Sequence, residues 1–143
     1  MSLELKILGG CIIASSFYSC SRLNDKEKST AINFPNKSSE LAELMRDLVE
    51  NTEEVKLQIS KNEKPGFFIE FDKLHTAVPT DLAVRDDGHF TSFANNYIAT
   101  VNELINTTGD KEEKYNKMIQ SCIICHQQIC PGPIKRIKKL RIK

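Results

Sequence analysis

The chain has 143 residues, of which 40% are hydrophobic, and its formal net charge at pH 7 is +1. This length and composition suit one domain with one hydrophobic core, and they exclude a chain of several large domains. The near-neutral charge disfavours a general nucleic-acid-binding protein, although the tail from Lys135 to Lys143 is strongly basic.

The first predicted element is an export signal. Residues 7–19 (ILGGCIIASSFYS) form an apolar run after Lys6 that is too short to cross a bilayer as a helix. The letters FYSC, which end at Cys20, resemble a bacterial lipobox, in which the cysteine is acylated and becomes the new N-terminus. We therefore expect a lipoprotein signal peptide at 1–19 and lipidation at Cys20. A plain secretory signal and a retained anchor helix are the alternatives.

A polar segment without hydrophobic periodicity follows at 20–37, and its composition predicts a flexible tether. The helical domain is expected over residues 38–143. Its first helix should begin after Ser38 or Ser39, since a serine hydroxyl can cap a helix, and apolar residues then recur at helical spacing from Leu41 to Ile59.

Three further amphipathic helices are predicted from apolar residues at spacings of three and four. They run from Phe67 to Val78, from Phe90 to Ile105, and from a cap at Asp110 to near Ile129. The last one should end there because Pro131 lacks a backbone donor, and a second short segment should pack after the turn. Four such helices without a strand signal predict an all-α fold, an antiparallel four-helix bundle.

The pentapeptide Cys122-Ile123-Ile124-Cys125-His126 lies on the last long helix and matches C-x-x-C-H, the attachment sequence of c-type haem. Two thiols about one helical turn apart can each add to a haem vinyl group, and the histidine then binds the iron as its proximal ligand. Haem is attached after export, so the signal peptide and the motif support each other. We expect one covalent haem c.

Zinc is the competing interpretation, since Cys122, Cys125, His126 and Cys130 could form a Cys₃His site. Such short clusters usually lie on turns, whereas this one follows a helical pattern and an export signal. A structural zinc module that mediates protein contacts remains the alternative outside the haem proteins. Cys130 itself is expected to be a small buried hydrophobic residue, with dimerisation or a redox role as minor alternatives.

A helical chain with C-x-x-C-H on its last long helix resembles the class II cytochromes c, the cytochrome c-prime family. The resemblance covers residues 38–128, and outside the motif it rests on the pattern and order of the helices. It implies a haem between the helices, with a side chain of the first helix over its distal face. Met45 is the candidate sixth ligand there, and core packing is the alternative. The ending QICPGPIKRIKKLRI departs from the simple helical ending of that family.

Other histidine, methionine and cationic side chains could also take part in haem binding. His75 and His89 are alternative ligands but are expected at the surface, and Met118 lies on the same helix as His126 and cannot easily reach the opposite haem face. Cationic side chains that could pair with haem propionates are Arg46, Lys135 and Arg136, with solvated surface charge as the alternative.

These expectations describe a monohaem c-type cytochrome that transfers one electron at a time in the bacterial cell envelope. It would be anchored on the periplasmic side of a membrane and exchange electrons with redox proteins of the envelope. An enzyme is not expected, because no paired carboxylates or nucleophile arrangement lie near the motif. The alternative among haem proteins is a five-coordinate binder of NO or CO, in which Leu44, Leu48 or another apolar group covers the distal face.

Overall fold

The structure is a computed structural model that describes residues 38–86 and 88–143. The expected signal peptide at 1–19, the lipidation site at Cys20 and the tether at 20–37 lie outside the described residues. Within the described ranges the chain is all-α, as predicted, and contains no strand. None of the helices in these ranges has the length and hydropathy of a membrane-spanning segment.

Three long helices and three short ones make up the described part of the chain. They are α1 (Glu40–Ser60), α2 (Lys73–Thr76), α3 (Ala83–Asp86), α4 (His89–Asn106), α5 (Lys111–Gln128) and α6 (Ile134–Lys139).

The two helix caps predicted from the sequence are confirmed. The Ser39 hydroxyl accepts a hydrogen bond from the backbone N–H of Ala42 at 3.2 Å. A carboxylate oxygen of Asp110 accepts one from the N–H of Glu113 at 3.0 Å. Each cap satisfies a backbone donor that the first helical turn leaves without a partner, so α1 and α5 begin where the sequence places them.

The predicted helix from Phe67 to Val78 is wrong over most of its length, because only the single turn of α2 is helical. The Phe71 ring packs edge to face against Phe67 at 5.7 Å and against Tyr97 of α4 at 6.0 Å between centroids. At the end of the segment, the Val78 carbonyl accepts a hydrogen bond from Leu41 N at 3.0 Å. Tertiary contacts therefore replace the hydrogen bonds that a continuous helix would have made.

The segment 61–79 returns from the C-terminal end of α1 to its N-terminal end. Near its start, the N–H of Gly66 donates to the side-chain oxygen of Gln58 at 2.8 Å. Near its end, the N–H of Val78 donates to the carboxylate of Glu40 at 3.0 Å. This segment thus follows α1 along its length in a mainly non-helical conformation.

Helix α5 lies between α1 and α4 and runs antiparallel to both of them. On α4 and α5, Lys117 pairs with Glu103 at 2.6 Å and Ser121 lies 3.3 Å from Thr100, so residue numbers rise along one helix as they fall along the other. On α1 and α5, the hydroxyl of Tyr115 lies 3.3 Å from the carbonyl oxygen of Thr52. Lys111, one turn earlier on α5, reaches the carbonyl of Glu63 beyond the end of α1 at 3.1 Å.

The hydrophobic core lies between these three helices. Burying one large apolar side chain stabilises the fold by roughly 1.5–3 kcal/mol, and large side chains with almost no exposed surface come from all three. They are Val55, Val101, Leu104, Tyr115, Met118 and Ile119.

The predicted short segment after the proline turn is confirmed as α6, and it packs on the core through Ile137 and Leu140. The side-chain amide of Asn116 donates to the carbonyl of Ile142 and accepts from its N–H, both at 3.0 Å. The ammonium of Lys56 donates to the carbonyl of Arg141 at 2.8 Å. The end of the chain is therefore fixed to both α1 and α5.

Candidate functional site

A mainly apolar cavity of about 100 Å³ lies between α1, α4, α5 and the C-terminal segment. All three residues of the motif that the sequence singled out, Cys122, Cys125 and His126, line this cavity. Met45 of α1 lines it as well. The fold thus brings the predicted attachment cysteines, the predicted proximal histidine and the predicted distal methionine to one internal space.

The His126 side chain is oriented by a backbone carbonyl. Its Nδ1 atom lies 2.8 Å from the carbonyl oxygen of Cys130. A carbonyl oxygen can only accept a hydrogen bond, so Nδ1 carries the proton and Nε2 keeps its lone pair. Histidines that bind a metal usually donate their other ring N–H to such a partner, which fixes the ring and its tautomer. The arrangement leaves Nε2 as the ligand atom.

The end of α5 explains why this carbonyl is available. The N–H groups of Ile129 and Cys130 still make helical hydrogen bonds to the carbonyls of Cys125 and His126, at 3.0 Å and 3.3 Å. Pro131 has no N–H and cannot continue the helix. The Cys130 carbonyl therefore lies at the point where the chain leaves the helix, one turn after His126, and accepts from the imidazole.

The two motif thiols are protonated at neutral pH. Burial, followed by the neighbouring Cys125, raises the pKa of Cys122 to about 12. Burial, followed by Cys130, raises the pKa of Cys125 to about 11. Both are free thiols rather than a disulfide. Since the thiolate is the reactive form in substitution chemistry, the raised pKa values make both side chains poor nucleophiles near neutral pH.

Two hydroxyl groups on the cavity wall donate their hydrogens to backbone carbonyls of their own helices. The hydroxyl of Thr52 donates to the carbonyl of Leu48 at 2.6 Å, and that of Ser121 to the carbonyl of Met118 at 2.7 Å. Burial raises the pKa of Tyr97 well above its usual value, so this side chain stays neutral. The wall is thus lined mainly by sulfur atoms, an imidazole and hydrocarbon, together with the neutral hydroxyl groups of Thr52, Tyr97 and Ser121.

Met45 is half-buried and packs against the core from α1. Leu48 and Val49 line the cavity from the same helix. Leu44, which the sequence offered as a distal cover, is buried but does not line the cavity. The candidates for a residue above the distal face are therefore Met45, Leu48 and Val49.

The remaining predicted residues lie away from the cavity wall. His75 and His89 are exposed, as predicted, and Met118 is fully buried in the core. Cys130 is exposed, so the prediction that it is buried is wrong. It follows the end of α5 on the outer side of the turn, and only its backbone takes part in the site. Arg46 is half-buried. Lys135 and Arg136 do not line the cavity, and they line a neighbouring cleft instead.

Sequence reasoning missed the wall that the C-terminal segment contributes. Pro133, Ile137 and Leu140 line the cavity from outside the three long helices. The signal was present, because Ile137 and Leu140 are spaced by three residues among lysines and arginines, which is the pattern of a short amphipathic helix.

The side chains that line the cavity are of the chemical types that could hold a haem, but the cavity volume is smaller than a porphyrin requires. Ligand cavities of drug-sized molecules usually measure about 300–1,000 Å³, and this one measures about 100 Å³. Binding of a haem would therefore require the surrounding helices or α6 to move outward. In the ranges that the structure describes, no three His, Cys, Asp or Glu side chains converge as a metal-ion site would need. A zinc site would also require the exposed Cys130 side chain to turn inward.

Comparison of the chain with protein-family models, with curated proteins and with solved structures finds no match.

Proposed function

We propose that this protein is a monohaem c-type cytochrome that carries single electrons. The observation that supports the proposal is that Cys122, Cys125, His126 and Met45 line one apolar cavity. A C-x-x-C-H match alone occurs by chance in many sequences. A match whose three reactive residues share an internal apolar space with a methionine from another helix is far more specific.

The residues have distinct roles in this proposal. Cys122 and Cys125 hold the haem through thioethers, each formed when the S–H of a thiol adds across a vinyl group. Nε2 of His126 binds the iron, and the Cys130 carbonyl holds the imidazole in place through Nδ1–H. The apolar wall excludes water, which together with the axial ligands sets the reduction potential. When bound, the haem supplies one-electron redox chemistry.

The bundle expected from the class II cytochromes c enters the proposal in a modified form. Helices α1, α5 and α4 would enclose the haem, segment 61–79 would take the position of the missing long helix, and α6 would close the side of the site. In the same proposal the chain is exported, processed after residue 19 and lipidated at Cys20. Residues 20–37 would tether the domain to a membrane of the cell envelope, where it meets its redox partners.

Absorption spectra of the mature protein test the proposal against the zinc alternative. The full chain is exported in a host with haem-attachment machinery, and spectra of the oxidised and reduced forms are recorded together with a metal analysis. A cytochrome shows a haem spectrum that changes on reduction and contains iron. A colourless protein that contains zinc would contradict the proposal.

A five-coordinate haem that binds NO or CO is a second candidate, because the apolar Leu48 and Val49 share the α1 wall with Met45. The Met45→Ala variant separates the two. If Met45 is the sixth ligand, its removal converts a low-spin spectrum into a high-spin one. An unchanged spectrum, with rapid CO binding in the reduced unsubstituted protein, would favour the five-coordinate site.

A further inference from the structure

A basic cleft of about 800 Å³ lies beside the cavity, between α1 and α6. Its cations are Lys56 of α1 and three residues of α6, Lys135, Arg136 and Lys139. Glu53 is the acidic side chain among the described residues of its wall. We call this surface the basic cleft.

The charges of α6 face the cleft because of the amphipathic pattern of the helix. Ile137 and Leu140 are buried, whereas Lys135, Arg136 and Lys139 are exposed. Leu140 lines both the basic cleft and the cavity. One side of the segment therefore closes the cavity while the other presents positive charge to solvent directly beside it.

The positive charge of the basic cleft is not neutralised within the described part of the domain. The side-chain ion pairs there join Lys73 to Glu70 and Lys117 to Glu103, and neither involves a cation of α6. The ammonium of Lys56 donates to the carbonyl of Arg141 at 2.8 Å, which leaves its charge in place. An excess of positive charge thus remains for a ligand from outside.

We propose that the basic cleft is the docking surface for an acidic face of a partner protein. A planar lipid surface cannot follow a concave cleft. A nucleic acid would extend beyond it over a chain that is more acidic than basic before Pro133. A protein surface also offers the mixture of charges that suits Glu53, since one basic residue among acidic ones can pair with it.

That the partner exchanges electrons with the haem rests on the proposed function. Docking at the basic cleft would bring the partner's redox group to the side of the cavity that Leu140 closes. If the haem is present, its reduced form would give one electron to the oxidised redox group of the docked partner, and no atom would be transferred. Opposite charges steer such encounters and raise association rates by about 10- to 1,000-fold at low ionic strength.

The test uses the full mature chain and a charge-reversed variant, Lys135→Glu with Lys139→Glu. The matched control is Lys61→Glu with Lys64→Glu, which changes the net charge equally at exposed lysines that do not line the cleft. The first probe is a fluorescein-labelled oligoglutamate peptide, whose binding is followed by fluorescence anisotropy at low ionic strength. The second is hexacyanoferrate(III), which takes one electron from the reduced haem.

We expect the unsubstituted protein and the control to bind the peptide alike, and the charge-reversed variant to bind it about ten-fold more weakly or worse. The rate of haem oxidation by hexacyanoferrate(III) should follow the same order and fall as salt is added. Equal peptide binding by the charge-reversed variant and the control overturns the docking surface. Circular dichroism establishes that both variants are folded.

Three further outcomes separate the inference from its alternatives. An oligothymidylate, or vesicles containing phosphatidylglycerol, that bind the cleft more tightly than the peptide would overturn the choice of a protein partner. A colourless protein that still binds the peptide in the expected order would contradict the proposed function and the redox role of the partner, while the acidic docking surface would stand. A coloured protein without cleft-dependent binding would contradict the docking surface alone.

Discussion

The hydrogen bond from His126 Nδ1 to the Cys130 carbonyl connects the proposed iron ligand to the turn that follows α5. The carbonyl belongs to a residue that lies just after the end of α5 at Gln128 and directly before Pro131. In the neutral imidazole this contact places the proton on Nδ1, so the ring is oriented with Nε2 as the nitrogen that could bind a metal.

Substitutions of the three cysteines of the domain should differ in their effect on covalent haem attachment. In Cys122→Ala or Cys125→Ala, one thioether remains and the haem stays covalently attached, whereas the double variant should carry no haem after denaturation. The measurement is haem staining of the denatured chain on a gel. Cys130→Ala is the control, because this exposed thiol does not line the cavity. Loss of covalent haem in the control, or its retention in the double variant, would contradict the assignment.

The haem-free chain should lose stability at alkaline pH. The thiol of Cys122 ionises near pH 9 when unfolded but stays protonated in the fold until about pH 12. Its stabilising effect is thus complete below pH 9 and is lost as the pH rises through this window, with a slope of up to about 1.4 kcal/mol per pH unit. Urea unfolding from about pH 8 to about pH 10 measures the slope.

Cys122→Ala should lower that alkaline slope by about half, because Cys125, whose pKa burial raises to about 11, ionises over the same range and keeps its own contribution. Haem attachment should flatten it too, since a thioether sulfur has no proton to lose. The buried Tyr97, whose pKa is raised by burial, adds a loss of the same sign at higher pH. An equal slope in the Cys122 variant and the unsubstituted chain would show that this thiol is not held protonated by the fold.

The short helix α2 depends on Arg85 of α3 rather than on its own sequence. One guanidinium nitrogen of Arg85 donates to the carbonyl of Leu74 at 2.8 Å, and the other donates to the carbonyl of Ala77. The guanidinium also lies 4.7 Å from the centre of the Phe90 ring. A side chain eleven residues away in sequence from Leu74 thus satisfies carbonyls that the end of α2 leaves without helical partners.

Arg85→Lys should lower the free energy of unfolding by about 1–3 kcal/mol, because an ammonium cannot replace two forked donors and the ring contact together. Urea denaturation measures the change. Lys73→Arg is the control, since its exposed ion pair with Glu70 contributes little. A loss in the Arg85 variant no greater than in the control would indicate that α2 is stabilised by its apolar contacts alone.

The C-terminal segment is held by a buried hydroxyl. The hydroxyl of Tyr115 lies 3.0 Å from the carbonyl oxygen of Leu140 and 3.3 Å from the carbonyl oxygen of Thr52. It therefore connects the C-terminal segment to α1 and α5. Tyr115→Phe should cost about 1–2 kcal/mol of stability and raise amide hydrogen exchange in residues 137–142. Exchange that rises equally throughout α4 would contradict a local role for this hydroxyl.

The sequence was a good guide to elements that depend on local chemistry. Ser39 and Asp110 cap helices through bonds to residues three positions later, and such bonds are visible in the sequence. The segment 67–78 was not predictable in the same way, because its conformation depends on Tyr97 and on the start of α1, which are distant in sequence. The spacing of its apolar residues predicts which side chains are buried, but it does not specify the backbone conformation of the segment.

The grouping of the motif residues could be predicted from the sequence, whereas the walls of the cavity around them could not. Spacing within C-x-x-C-H places Cys122, Cys125 and His126 near one another on any helix. Which other helix faces them depends on the packing of the long helices, and the prediction of Met45 rested on the family resemblance. The exposed position of Cys130 depends on the direction of the turn at Pro131, which spacing does not specify.

At the scale of the whole described domain, Cys122, Cys125, His126 and Met45 line one mainly apolar cavity between the helices. The cavity measures about 100 Å³, so insertion of a porphyrin must displace part of its wall. The C-terminal segment, with the short helix α6, contributes Pro133, Ile137 and Leu140 to that wall. We expect it to move outward and then pack against the inserted group, which would make haem binding and the final packing of α6 interdependent.

The most direct test of the central claim is the mass of the denatured, mature chain after treatment with a thiol-alkylating reagent. If Cys122 and Cys125 are bound to haem, the chain keeps the mass of one haem under denaturing conditions and of these three thiols only Cys130 is alkylated. A chain that carries no haem, in which Cys122 and Cys125 are alkylated as readily as Cys130, would contradict the account.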